Sequence, residues 1–325
     1  MGIKHLNRFL REEAKNSIKF ISLSEISGKK IAVDISIYMY KFAADDSLIE
    51  NIYLMLSIFR YYNIIPIFIF DGKPPDEKSE ILIKRREDKK EALDEYNKLK
   101  TQLELNEDMD ESNKQEIIYN MDLLKKKFIH IGKKEIENVK KLIRAYGATY
   151  YDARGEADEL CALLTLKDKV WGCLSEDMDM FVYGCNKVLR YLSLLNHTVV
   201  LYDTKEILDN LGMKQKELRE ICVLSGTDYN VNVFDNNKTE PTLYTTLNYF
   251  KKYNKEKSKY DFYNWLKQNT DYIKDYELLE KINSIFDLTG YIDDAKILKS
   301  IKIVNGPIMK NEIKEILKTD GFIFP

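Results

Sequence analysis

Two apolar runs of strand length, residues 30–36 and 63–70, constrain this chain more than any other feature. Both are near-continuously apolar rather than alternating, the pattern of strands buried on both faces. Each ends at or near an aspartate, Asp34 and Asp71. Between them, Leu48–Tyr61 carries apolar residues at helical spacing. Two buried strands joined by a helical crossover make a parallel βαβ unit. The pattern returns downstream, with strand-like residues 148–151, 170–174, 187–192 and 198–202 and a helix over 156–166. The expectation is an α/β fold with a doubly wound, mostly parallel sheet.

Residues 76–142 interrupt this pattern. Pro74, Pro75, Asp76 and Glu77 make a helix start, with prolines first and carboxylates in the first turn. The long, charged helical stretch that follows is split by an acidic break at 104–111 into two arms. By itself it reads as a solvated helical hairpin. Residues 206–325 read as mostly helical and Lys-rich, beginning with short amphipathic helices at 206–211 and 214–224.

Composition sets the bounds. No apolar run reaches ~18 residues, so no membrane span is expected. There is no signal-peptide pattern, and the four cysteines show no CxxC spacing. An intracellular protein without a zinc ribbon or disulfide framework follows. Three histidines (His5, His130, His197) leave little for a His-built centre. With 51 Lys+Arg against 53 Asp+Glu, the net charge of −2 counts mildly against a nucleic-acid binder.

The acids carry the chemistry. Asp34 and Asp71 follow strands, Glu156 and Asp158 lie in GEADEL, Asp177 and Asp179 in SEDMD, and Asp228 in SGTDYN. The carboxyl ends of the strands in such a sheet form one ligand-binding rim. Residues two apart diverge on a helix, but the two i, i+2 pairs can share a site from a loop and first helical turn. Any single one of these aspartates reads equally well as a helix N-cap. Seven carboxylates together repel one another, and divalent cations relieve this. An all-oxygen set without His or Cys selects Mg²⁺ or Mn²⁺. Two such ions ~4 Å apart are the centre of metal-dependent phosphoryl transfer.

The blocks MGIKHL, IAVDISIYMYKF, FDGKPPDEKSEILIKRRE, GEADELCALL, LSEDMDMFVYG and LSGTDYN, in this order, resemble the flap endonuclease family of structure-specific 5′ nucleases. That family includes the xeroderma pigmentosum G type and has a PIN-like core. The resemblance implies metal ligands at Asp34, Asp71, Glu156, Asp158, Asp177, Asp179 and Asp228, with two Mg²⁺ ions that Mn²⁺ can replace. At Asp158 the family more often has glutamate. Lys78 and Arg85 match the basic pair at the foot of the family's helical arch, about 10 Å apart on one helix face. Tyr40 matches an aromatic that stacks on a base near the cut. It also reads as a core tyrosine, because Tyr38, Tyr40 and Phe42 alternate beyond a buried strand. Gly2 matches the small residue that packs beside the site once Met1 is removed.

The charged stretch then resembles the arch that a single-stranded 5′ flap threads. Lys84, Lys125, Lys126, Lys127, Lys133 and Lys134, with Lys251, Lys252 and Lys255 further on, become candidate phosphate contacts. Two departures stand out. The segment after Asp228, VNVFDNNKTEPTLYTTLNYFKKYN, lacks the glycines of the family's helix-two-turn-helix hairpin, which counts against its K⁺ site. The terminal GFIFP lacks the family's sliding-clamp box, so clamp binding has no support.

The expected organisation is a nuclease core over 1–215 with 76–142 inserted as the arch. A divergent helix-two-turn-helix over 216–270 and a helical extension over 271–325 follow. The expected activity is Mg²⁺-dependent 5′-flap endonuclease and 5′→3′ exonuclease action on branched DNA. A monomer in the nucleus or at a cytoplasmic, viral replication site is expected, the viral source resting on a Lys-, Ile-, Asn- and Tyr-rich composition. The alternatives are a PIN-type or 5′→3′ exoribonuclease, which would not need the basic arch, and a DNA-junction scaffold, for which lost acids would speak. An aspartyl-phosphate transferase would need a small-residue loop after its nucleophile, which neither Asp34 nor Asp177 has. The net charge no longer excludes DNA, because seven acids gather in one pocket flanked by basic surfaces.

Overall fold

The computed structural model describes residues 3–75, 78–105, 111–229, 242–256, 258–290, 298 and 301–323. Seven strands form one sheet: β1 (Ile18–Ser22), β2 (Lys30–Asp34), β3 (Ile65–Phe70), β4 (Thr149–Asp152), β5 (Gly172–Leu174), β6 (Lys187–Ser193) and β7 (Thr198–Asp203). Their order is β1-β7-β6-β5-β2-β3-β4. The four pairings from β4 to β6 are parallel, and those of β7 with β6 and β1 are antiparallel. Parallel neighbours need crossovers, and those crossovers cover both faces. On one face lie α1 (Leu6–Glu13), α7 (Ala157–Leu166) and α10 (Gln215–Ser225), around Leu6, Phe181, Ile221 and Phe286. On the other lie α3 (Leu48–Tyr61), α6 (Lys133–Ala145) and a C-terminal helix Lys310–Thr319, around Phe59, Phe68, Leu142 and Leu317.

Two features differ from the sequence reading. β1 is an added antiparallel edge strand whose Phe20 is exposed, so no buried apolar pattern announces it. The run after β2 does not continue as strand: Asp34 sits at the N-cap position of α2 (Ile35–Ala44). Strand-like alternation at Tyr38, Tyr40 and Phe42 is in fact helical spacing. Tyr38 and Phe42, four apart, share the buried face with ring centroids 6.0 Å apart, and Tyr40 is 45% exposed.

The charged stretch 76–142 supplies two helices that pack on each other, α4 (Ser79–Leu105) and α5 (Glu111–Phe128), but its end, residues 133–142, belongs to α6, whose Val139 and Leu142 are buried against the sheet. Buried Ala92, Ile117 and Leu124 and an edge-on Tyr96–Phe128 contact at 5.3 Å hold the pair. At its foot, Lys125 and Lys126 form ion pairs with Asp46 and Asp45 in the turn between α2 and α3.

The outer edge of β4 is covered by residues 302–309. Gly306 N donates to Gly147 O at 2.7 Å, and Thr149 Oγ1 donates to Lys302 O at 3.1 Å. A Cβ on Gly147, whose φ is +71°, would stand 2.5 Å from Gly306 O, so only glycine admits this approach. An uncovered edge strand would otherwise template pairing with another chain. Among the described residues, no helix is long and apolar enough to cross a membrane.

Candidate metal and nucleic-acid site

The parallel strands deliver their acids to one rim. Asp34 ends β2, is 4% exposed, and accepts from Ser175 Oγ at 3.0 Å. Asp71 follows β3 and accepts from Ala157 N at 2.8 Å, which caps α7 from another segment. That contact requires the FDGKPP turn to lie against the loop after β4. Gly72 N donates to Gly155 O at 2.7 Å, and a Cβ on Gly72 would be 2.1 Å from Ala153 O.

Glu156 occupies the N-cap position of α7 and Asp158 its second residue. Asp177 lies after β5, and Asp179 opens α8 (Asp179–Tyr183). Asp179 N donates to Asp177 Oδ1, and Asp177 N to Ser175 Oγ, both at 3.1 Å. The two i, i+2 pairs thus sit in a loop and first turn, as their spacing requires. Asp228 follows α10.

All seven acids belong to one electrostatic network. Burial, then the charges of Asp71 and Asp177, push Asp34 up to about 7 against the pull of Ser175. Burial, then Asp34, Asp177 and Asp179, raise Asp158 well above the carboxylate range. Asp179 is raised by burial and Asp177, with Asp228 and Glu156 adding. The Oδ1 atoms of Asp158 and Asp179 are buried without a hydrogen-bond partner.

Two cations stand among these acids. Lys78 Nζ lies 2.8 Å from Glu156 Oε1 and 2.7 Å from Oε2, and Arg85 Nη2 lies 2.6 Å from Asp228 Oδ2. Burial pulls the Lys78 ammonium down, but Glu156 and then Asp179 and Asp158 more than offset it and leave its pKa raised. Among the described residues, no three Asp, Glu, His or Cys side chains form a ready-made ligand set. The acids instead turn to Lys78, Arg85, Ser175 and backbone N–H groups. The donors nonetheless fit a hard divalent cation: all are carboxylate oxygens, and two are buried and unpartnered.

Around the rim, Tyr40 lies beside a cleft of about 410 Å³ lined also by Phe70, Asp71, Lys133 and Lys140. Lys89 Nζ sits 5.1 Å from the Tyr40 ring centroid. Lys84, Lys127, Lys133, Lys134, Lys251, Lys252 and Lys255 are exposed on their helices, the last three on α11 (Leu243–Glu256). Gly2 and the segment 230–241, where the K⁺ hairpin would fall, lie outside the described residues. Sequence reasoning missed Ser175, which ties Asp34 to Asp177, and Tyr229, whose hydroxyl donates to Glu156 Oε2 at 2.8 Å. Both stand in blocks already singled out, beside an acid or two before one.

Known proteins share this architecture. The fold is shared with the flap endonuclease-1 of Methanococcus jannaschii (TM-score 0.62, 23% identity, 93% of this chain and 90% of that one). It is shared also with the catalytic core of Rad2 in complex with DNA substrate (TM-score 0.61, 20% identity, 98% and 94%). Residues 1–92 match the XPG N-terminal domain and residues 147–228 the XPG I-region, together more than half of the chain. Flap endonuclease 1 of Glycine max is 30% identical over 248 residues, 70% of this chain and 62% of that protein. That of Xenopus tropicalis is 30% identical over 247 residues, 70% and 61%. The chain belongs to the XPG and flap endonuclease family. It spans about three fifths of the length of these curated relatives.

Proposed function

We propose that the chain is a Mg²⁺-dependent, structure-specific 5′ nuclease of branched DNA, a 5′-flap endonuclease with 5′→3′ exonuclease activity serving replication, repair or recombination. One observation carries this reading: the acids gather at strand ends and first helical turns along the carboxyl rim of a parallel sheet, with Lys78 and Arg85, at the foot of a charged helical hairpin, bonded to Glu156 and Asp228 among them. Asp34, Asp71, Glu156, Asp158, Asp177, Asp179 and Asp228 would hold two Mg²⁺ or Mn²⁺ ions. Such ions supply an activated water and charge compensation at the scissile phosphate and the departing 3′ oxygen.

The remaining work falls to other side chains. Arg85 can fork onto a phosphate, and Lys78 acts as a point charge. Tyr40, half-exposed beside its cleft, offers a face for a base near the cut. The α4–α5 pair restricts passage to a single strand. Lys84, Lys125, Lys126, Lys127, Lys133 and Lys134 follow its phosphates, and Lys251 and Lys252 those of the duplex. Lys125 and Lys126 must leave Asp46 and Asp45 to do so. Residues 1–215 form the nuclease core, with the α4–α5 hairpin as its arch. Residues 216–270 act as a DNA-binding helical region and 271–325 as an extension, and the protein works as a monomer.

The test is a panel of 5′-labelled flap, bubble, nicked and single-stranded DNA and RNA, incubated with Mg²⁺ or EDTA. Cutting at the flap base only with Mg²⁺ is expected, abolished by Asp34→Ala and by Asp177→Asn while DNA binding persists. Near wild-type cutting by either variant, or preference for RNA, would overturn it.

A further inference from the structure

Tyr229 directly follows the last of the seven acids, yet its side chain is turned into the protein, 9% exposed. Its hydroxyl donates to Glu156 Oε2 at 2.8 Å. Its ring carries the Lys78 ammonium, 4.7 Å from the centroid. Phe286, fully buried at the end of α13 (Tyr276–Ile285), packs against that ring at 5.5 Å and 89°. Phe286 in turn meets Tyr183 of α8 at 4.8 Å. Tyr229 N donates to Thr227 Oγ1 at 3.2 Å, which sets the turn that aims the ring.

These contacts close a triangle. Lys78 bonds both oxygens of Glu156, Glu156 accepts from Tyr229, and the Tyr229 ring faces Lys78. A lysine is a compact charge on a flexible four-carbon stem, so alone it holds no direction. A ring face attracts a cation, more strongly where water is excluded, and Lys78 is 6% exposed. A phenol can do this while also donating one hydrogen bond. Phenylalanine would keep the ring face and lose the donor; leucine would lose both.

We propose that Tyr229 is a positioning residue: its ring and hydroxyl together set the direction in which Lys78 presents its ammonium to the scissile phosphate. This rests on the reading of Lys78 as a phosphate contact. A tyrosine that merely fills the core would affect stability and leave the environment of Lys78 unchanged.

The test uses the full chain labelled with [ε-¹³C]lysine, with the Lys78 signal assigned by its absence in Lys78→Arg. In the wild type its ε protons are expected upfield, shifted by the ring. Tyr229→Phe keeps that shift and Tyr229→Leu returns it to the position of solvent lysines. In single-turnover cleavage of a 5′ flap, Tyr229→Phe is expected to cost about 3-fold and Tyr229→Leu about 10-fold or more. In a Lys78→Ala background Tyr229→Leu should cost little further, because residues acting as a unit are not additive. An unshifted Lys78 signal in the wild type would overturn the proposal. So would a Tyr229→Leu loss that is equally large with and without Lys78. A wild-type protein that cuts no substrate, with the shift present, would overturn the nuclease reading and this role with it.

Discussion

Arg85 Nη2 lies 2.6 Å from Asp228 Oδ2, and this contact joins the first helix of the charged hairpin to the loop after α10, 143 residues away. Lys78 makes the equivalent contact with Glu156. The two pairs differ in depth. The Lys78 side chain is 8% exposed and that of Arg85 is 40% exposed, so water screens the arginine pair and makes it the easier to open.

Arg85 is therefore expected to give up Asp228 when metal and substrate arrive. Arg85→Ala should bind Mn²⁺, followed by calorimetry, as tightly as wild type or up to about tenfold more tightly. It should slow single-turnover cleavage by about tenfold or more, beyond any loss of DNA affinity. Equal losses in affinity and rate would make Arg85 an anchor.

The unpartnered oxygens of Asp158 and Asp179 make the rim a reservoir of instability in the absence of cations. Asp158→Asn keeps the shape and removes a carboxyl whose ionisation burial and its acidic neighbours oppose. In EDTA it should be more stable than wild type by about 1–2 kcal/mol, a rise of a few degrees in Tm. The Tm increase that Mg²⁺ confers on the wild type should shrink in the variant. Thermal unfolding with and without Mg²⁺ measures both, and a variant less stable than wild type in EDTA would contradict the account.

A second buried carboxylate lies away from the rim. Glu220 of α10 is 3% exposed, and burial pushes its pKa from 4.5 up to about 7. Lys216 at 3.5 Å pulls the other way, and Asp261 and Glu280 add to the push. Between those values the folded chain holds a proton that the unfolded chain has lost. The stability this confers is full below about pH 4.5 and is lost as pH rises through about 7. Glu220→Gln should flatten the decline in unfolding free energy between pH 5 and 8, by roughly 3 kcal/mol at most. Urea titrations at the two pH values test this, and parallel declines would assign it to other groups.

The central parallel pair was legible from local pattern, because strands buried on both faces must be largely apolar and β2 and β3 are, whereas the edge strand β4, Thr149–Asp152, is half-exposed and polar at both ends. The sequence by itself also determined the order of the acids and their place at strand ends and first helical turns, which are local facts of spacing. Where alternation and helical spacing overlap over a few residues, as at Tyr38, Tyr40 and Phe42, local pattern admits both readings. Packing chose the helix and so exposed Tyr40. Which cation meets which acid emerges only in the folded chain: Lys78 with Glu156, Arg85 with Asp228, Lys125 with Asp46. The tertiary structure likewise places Tyr229 against Lys78 and Glu156. These partners are separated by many turns of chain, and no short-range periodicity relates them. Their meeting depends on how the crossovers stack the strands and where the hairpin comes to rest.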